Sequence, residues 1–336
     1  MLRLTAFILS TLFLASSCGM IRNKMTVTTF NRVDIKNDKI HYSPIEWSLD
    51  TINGKIRKSA MYIPVRIMGD ERNLKMQLDL GANSSVLYMK TINALGVDNP
   101  SLLKNVSVNK GRYSYSNTGI IINDGTCLYA DRIPALAAMG DSTLAEASAT
   151  IGTLGYDIIG DNVLLIDFIN DSIAITGKLP VEIERMATFI RNPDLKKFPV
   201  ILPFKMGNKK LRLFYDTGSS SFQILTGTKR LKKVSVNREI EVADSASSWG
   251  RTIYLYKAEN PKIKGNLFID KYDLGKIDII GTDNLNPLSL AGKYIFGITG
   301  NEIFRNSILI IDRKNNRFGI IRNNYSKTES GSEHTR

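Results

Sequence analysis

Apolar and polar residues alternate with period two along most of the chain. Met61, Ile63, Val65 and Ile67 share one face of a segment that runs into a polar stretch from Gly69 to Asn73. Leu74, Met76 and Leu78 then resume the alternation and lead directly to Asp79-Leu80-Gly81. This is the pattern of a β-hairpin whose second strand delivers a tight Asp-X-Gly turn. The same arrangement returns later: Val200, Leu202 and Phe204, a polar turn from Gly207 to Lys210, then Leu211, Leu213, Tyr215 and Asp216-Thr217-Gly218. A shift of 137 residues carries Asp79 onto Asp216, Gly81 onto Gly218, Leu78 onto Tyr215 and, without a gap, Ile63 onto Val200.

A second pair of matching blocks closes each half. Ile158-Ile-Gly160 leads to Asp167, and Ile298-Thr-Gly300 leads to Asp312, the two glycines standing 140 residues apart. Two matched blocks in the same order make the chain a duplication of one mostly-β unit. The expected fold is all-β, with two similar barrel-like lobes at 45–185 and 195–322 and a cleft between them. Helical periodicity is confined to Thr91–Leu95, Leu144–Ala149 and a piece near Val181–Ile190, and residues 323–336 form a polar tail expected to be disordered.

A duplication that places one Asp at an equivalent turn in each half brings the two carboxyls to a common two-fold axis. Two carboxyls in close contact cannot both ionise cheaply, so one keeps its proton while the other carries the charge. That gives an acid and a base able to act on one water molecule. Composition narrows the alternatives. His41 and His334 are the only histidines and Cys18 and Cys127 the only cysteines, so a His-dependent triad and a multi-His zinc site are excluded. No phosphate-cradling glycine loop or nucleotide fingerprint occurs, and the chemistry calls for no cofactor and no metal.

With these elements in hand, the sequence resembles the pepsin-like aspartic protease family over nearly its whole length. Phe214-Tyr-Asp216-Thr217-Gly218-Ser219-Ser220 is similar to the family's second-lobe motif. Met76-Gln-Leu-Asp79-Leu80-Gly81-Ala82 is similar to the first, with Ala82 nearer the retroviral form. Asn301 to Ile320 is similar to the family's C-terminal segment. The resemblance implies an endopeptidase acting on polypeptides, with Asp79 and Asp216 as the dyad around the attacking water; such pairs are the standard instance of two acids sharing one proton. Gly81, Ala82, Thr217, Gly218 and Ser219 are then the supporting positions. It also implies a hairpin flap over the cleft, for which Gly111–Ile122 is the candidate, with Tyr115 as the flap residue and Tyr113 as the second choice. One position departs from the pattern. The family's hydroxyl residue is present as Thr217 but replaced by Leu80 in the first motif, which removes one of two reciprocal hydrogen bonds across the lobes. That departure supports a second reading, a weak or inactive pepsin-like module that binds peptides or a partner protein. Asp157, Asp167 and Asp312 read as turn-forming or structural acids.

The leader and the charge bear on location. Arg3, the apolar run Leu4–Leu14 and small residues before Cys18 resemble a bacterial lipoprotein signal, with residues 1–17 removed and Cys18 lipidated. Residues 18–44 then form a tether, and the expected site is the bacterial cell envelope, at the outer membrane, with the membrane as a partner through the anchor. Cys127 is left as a buried structural thiol. The formal net charge is +13, but Lys209, Lys210 and the run Lys229–Lys233 are scattered instead of striped with aromatic residues. That pattern describes a solvated basic surface and not a nucleic-acid interface. Trp249, in a serine-rich loop, is expected to pack in core or surface, and a monomer is expected.

Overall fold

The computed structural model describes residues 33–35, 40–52, 54–67, 70–72, 74–100, 106–109, 112–122, 126–136, 150–196, 198–248, 251–283 and 295–322. The leader with Cys18, the helix expected at Leu144–Ala149, Trp249 and the tail 323–336 lie outside them. Strands dominate what is described, in three sheets: nine strands in each lobe and six between the lobes.

The sheet between the lobes shows the duplication most directly. Strand Val163–Asp167 of the first half runs antiparallel to Ser307–Asp312 of the second, and Leu165 pairs with Ile310. These two residues are themselves equivalents, so the ladder is symmetric about them and a two-fold axis passes between the strands. Every residue of Val163–Asp167 is buried, because the sheet is covered on both faces. The hairpin turns that follow are built alike. Asp167 Oδ2 accepts from Asn170 Nδ2 at 2.8 Å and Asp312 Oδ2 from Asn315 Nδ2 at 2.8 Å. Asp171 and Asn316, next in each turn, both adopt positive φ, 47° and 52°. Asp167 and Asp312 are thus turn formers, as their sequence context indicated.

Each lobe threads its Asp-bearing strand in the same way. Leu74–Leu78 pairs antiparallel with Lys55–Ile67 and parallel with Thr150–Leu154. Lys209–Tyr215 pairs antiparallel with Ile201–Met206 and parallel with Gly297–Thr299. The equivalences nevertheless differ from the gapless shift. Ile63 pairs with Met76 and Leu202 with Leu213, so Ile63 matches Leu202, Pro64 matches Pro203 and Ile67 matches Met206. The first hairpin's turn is two residues longer. A slip of two leaves the same residues facing the core, so alternation alone cannot detect it.

The closing block also shifts. Leu154 lies beside Leu78 and Thr299 beside Tyr215. Gly300 therefore corresponds to Gly155, not Gly160, and Gly297 to Gly152, at a spacing of 145 that carries Asp167 onto Asp312 without a gap. Close approach explains these glycines. A Cβ on Gly300 would lie 1.9 Å from the Ser219 carbonyl oxygen, on Gly155 2.5 Å from the Ser84 carbonyl carbon, and on Gly152 2.1 Å from the Val86 carbonyl oxygen.

Two boundaries need correction. The C-terminal part of the expected tether is folded: Val33–Ile35 pairs with Thr126–Leu136, and Ser43–Pro44 adds to the central sheet beside Ser172–Thr176. The helix expected near Val181–Ile190 stops at Met186, and Thr188–Arg191 is instead a strand on Arg317–Arg322. Sheet pairing offers Thr188, Phe189 and Ile190 better packing than a helical continuation. The helix after the first Asp turn is longer than expected, Met89–Asp98.

Gly300→Ala is expected to destabilise the protein by about 3 kcal/mol or more, because the atom it strikes is backbone that cannot step aside. Gly227→Ala, with nothing within 4 Å of the added carbon, is expected to be near neutral. Denaturant unfolding of the two variants beside the parent measures both.

Candidate active site

Strand ends on the two sides of the axis hold the two Asp-X-Gly turns. The Asp79 amide donates to the Leu154 carbonyl and the Asp216 amide to the Thr299 carbonyl, each at 2.9 Å. Within each turn the glycine amide donates to the aspartate's own side chain: Gly81 to Asp79 Oδ1 at 2.8 Å and Gly218 to Asp216 Oδ1 at 2.9 Å. Both acids are buried, Asp79 2% and Asp216 1% exposed. The two carboxyls crowd one point. A Cβ on Gly81 would fall 2.4 Å from Asp216 Oδ1 and 2.8 Å from Asp79 Oδ1, so no other residue fits there.

The surroundings of the pair are unequal. Ser219 donates its hydroxyl to Asp216 Oδ2 at 3.1 Å, whereas Ala82 has no hydroxyl to offer Asp79. Burial holds the Asp79 carboxyl well above the ordinary carboxylate range. The charge of Asp216 and a hydrogen bond with it add to this, against the lowering effect of the Gly81 and Ala82 amides. Asp79 therefore keeps its proton where a free carboxyl would have lost it.

Thr217 ties the lobes together beneath the pair. Its Oγ1 accepts from the Leu80 amide at 2.8 Å and donates to the Leu78 carbonyl at 2.9 Å. Leu80, fully buried, gives nothing in return to the Thr217 amide or the Tyr215 carbonyl. The grip is one-sided, as the substitution at Leu80 implied.

Further support was not legible in the alternation pattern. Tyr215 donates its hydroxyl to Asn301 Oδ1 at 2.6 Å, and Asn301 Nδ2 reaches Ser220 Oγ at 2.7 Å and the Thr217 carbonyl at 3.2 Å. In the first lobe the brace comes from the next position along, Asp157, whose two oxygens each accept from the Ser85 amide at 2.9 Å. Ser85 Oγ donates to Asp157 Oδ1 and accepts from the Gly155 amide, both at 2.8 Å. Matching Gly155 with Gly300 in the sequence would have set Asp157 opposite Glu302 and marked the pair.

Tyr113 and Tyr115 lie in strand Arg112–Ile122, opposite Val108 and Val106 of a hairpin whose turn, with Gly111, is outside the described residues. The side chains of both tyrosines, and that of Cys127 in strand Thr126–Leu136, are outside them as well.

No family model matches the chain, and no protein of curated function matches it. Among solved structures, the crystal structure of an aspartic proteinase from Irpex lacteus is similar, with a TM-score of 0.43 and 10% identity. The match covers 86% of this chain and 99% of that one, a distant likeness at the level of fold.

Two outcomes test the site. Thr217→Val, which keeps the shape and removes both cross-lobe bonds, is expected to cost about 2 kcal/mol at roughly 1 per buried bond, read by denaturant unfolding. Asp79 is raised above its unfolded value, so its contribution to stability is full at low pH and is lost as the pH rises through its folded pKa. Asp79→Asn removes that loss. The variant is expected to melt higher than the parent at pH 8, with the difference shrinking towards pH 4, as calorimetry across that range would show.

Proposed function

We propose that the protein is an aspartic endopeptidase. The observation that carries this reading is the convergence of two buried carboxyls on one point at the two-fold axis, with Asp79 neutral beside Asp216. The Ser219 hydroxyl favours Asp216 as the anion, and so as the base. In the proposed reaction a water between the carboxyls gives a proton to Asp216 as its oxygen attacks the peptide carbonyl. Asp79 gives its proton to the carbonyl oxygen, which leaves a tetrahedral diol. Return of a proton from Asp216 to the amide nitrogen, and of one diol proton to Asp79, breaks the C–N bond and restores the pair. The chemistry uses polypeptide, water and no cofactor. Tyr115, or Tyr113, is the proposed flap residue.

Leu80 favours a second reading, in which the lobes bind peptide without turning it over. A misplacement of about 1 Å can cost roughly a hundredfold in rate, and the missing half of the grip is where such slack would arise. The same proposal places the protein on the bacterial cell envelope as a monomer, anchored through a lipid on Cys18. It rests on the layout of residues 1–18; labelling with a radioactive fatty acid, lost in Cys18→Ser, tests it.

The deciding experiment is cleavage of an unfolded protein mixture by the purified chain from pH 3 to 8. Activity lost in both Asp79→Asn and Asp216→Asn and blocked by a statine-type peptide is the expected result; a folded parent that cuts nothing selects the binding module. The optimum is expected above about pH 4, since Asp79 holds its proton beyond the usual range. Leu80→Thr is expected to raise kcat, on the order of tenfold, by restoring the second bond of the grip.

A further inference from the structure

Behind each catalytic turn the duplication places an acid, Asp157 in the first lobe and Glu302 in the second, and the two are met in different ways. Glu302 faces cations: Arg57 Nη1, reaching across from the other lobe, stands 3.6 Å from it, and the Arg305 guanidinium pairs with it as well. Asp157 pairs with no cation among the described residues. The Ser85 amide and hydroxyl donate to it, and the amides of Asp157 itself and Ile158 add to them. The amides can only donate, whereas the Ser85 hydroxyl can also accept. A proton on Oδ2 therefore displaces the Ser85 amide from that oxygen, and a proton on Oδ1 reverses the hydroxyl bond and displaces the amide there.

Ser85 ends the loop that Asp79 begins, and strand Val86–Tyr88 follows it directly. The loop has no slack on this side, since Gly155 presses against the carbonyl carbon of Ser84 closely enough to exclude a Cβ. Movement of Ser85 is thus passed to the turn that carries the catalytic acid.

Resting on the two-Asp reading above, we propose that Asp157 is a positioning residue: its carboxylate, through Ser85, holds the first catalytic turn in place, and its protonation releases that turn, so that cleavage falls as the medium becomes acid. Burial favours the neutral acid and the surrounding donors favour the anion. Burial outweighs them and pushes the carboxyl up to about 7, which sets the release in the neutral range. Four other ionisable groups stand on the elements around it. Asp79 lies on the turn, and Tyr88 hydrogen-bonds Thr153 at 2.6 Å. Tyr156 is pushed up to about 12 by burial, and Arg313 stacks over its ring at 4.7 Å. Burial keeps both tyrosines neutral between pH 5 and 8, which leaves Asp79 as the group from which Asp157 must be separated by mutation. In the second lobe Phe222 stands where Ser85 stands in the first, so the device belongs to one lobe only.

The test compares the full chain, Asp157→Asn and Ser85→Ala, with kcat and KM measured separately from pH 5 to 9. In the parent, kcat is expected to fall about tenfold from pH 8 to pH 6 with little change in KM, as one group near pH 7 requires. Asp157→Asn, locked in the neutral form, is expected to show a kcat roughly ten- to a hundredfold lower at pH 8 and flat down to pH 6. Ser85→Ala removes a donor to the anion, so its acid limb is expected to move to higher pH. A uniform loss in Asp157→Asn with the parent's pH dependence retained would overturn the proposal. If the parent cleaves nothing, the protease reading fails and hydrogen exchange decides the positioning role by itself. Protection of the Leu80–Ser85 amides, corrected for intrinsic rates, should fall from pH 8 to pH 6 in the parent and stay constant in Asp157→Asn. Equal behaviour of the two chains would reject it.

Discussion

Everything at the centre of this molecule follows from one strand pairing. Val163–Asp167 lies against its own counterpart, Ser307–Asp312, and the ladder is symmetric about Leu165 and Ile310. Once two equivalent strands pair about their midpoints, every other pair of equivalent elements must face across the same axis. The Asp-bearing strands reach that axis through their parallel neighbours Thr150–Leu154 and Gly297–Thr299, whose carbonyls fix the amides of Asp79 and Asp216. The carboxyls have no freedom to avoid each other. Their meeting is a result of sheet geometry, and the retained proton is its electrostatic outcome.

Symmetry of the backbone coexists with asymmetry of the side chains. Ser219 gives Asp216 a hydroxyl where Ala82 gives Asp79 none, and Thr217 of the second turn holds the backbone of the first while Leu80 holds nothing in return. Two carboxyls in identical surroundings would share their proton evenly. Here burial and the charge of Asp216 keep the proton on Asp79, and the hydroxyl that Ser219 gives to Asp216 has no counterpart at Ala82. Arg57 adds a further imbalance, since it carries charge from the first lobe to Glu302 behind the second turn, whereas Arg313, crossing the other way, meets the ring of Tyr156 and not Asp157.

Much of this was legible in the sequence, and the misreadings share a physical cause. The Asp-X-Gly turns, the duplication, the loss at Leu80 and the turn-forming Asp167 and Asp312 could be read directly, since each is tied to a residue type that only one local structure explains well. The register could not. In a strand, a shift by two residues returns the same face to the core, so matching Ile63 to Val200 satisfied the alternation as well as the true partner Leu202. Gly160 misleads for a related reason: it follows Ile158 and Ile159 much as Gly300 follows Ile298 and Thr299. The glycine that touches the turn is Gly155, and what distinguishes it is the backbone it abuts. Thr188–Ile190 reads as helix in the sequence because the partner of that stretch, Arg317–Arg322, lies over a hundred residues away. Asp157 reads as a merely structural acid for the same reason, as its meaning depends on Ser85, 72 residues earlier.

The one-sided grip of Thr217 also depends on the two lobes being one chain. Were the two lobes separate copies of one chain, a single codon change at the hydroxyl position would strip both grips together, and the assembly would lose its tie in one step. Joined in one polypeptide, the halves mutate independently. Leu80 is then a residue that only the joined chain tolerates, because Thr217 holds the partner lobe while position 80 holds nothing. Covalent linkage leaves one necessary contact and one position open to variation where two separate identical chains would be bound to a matched pair.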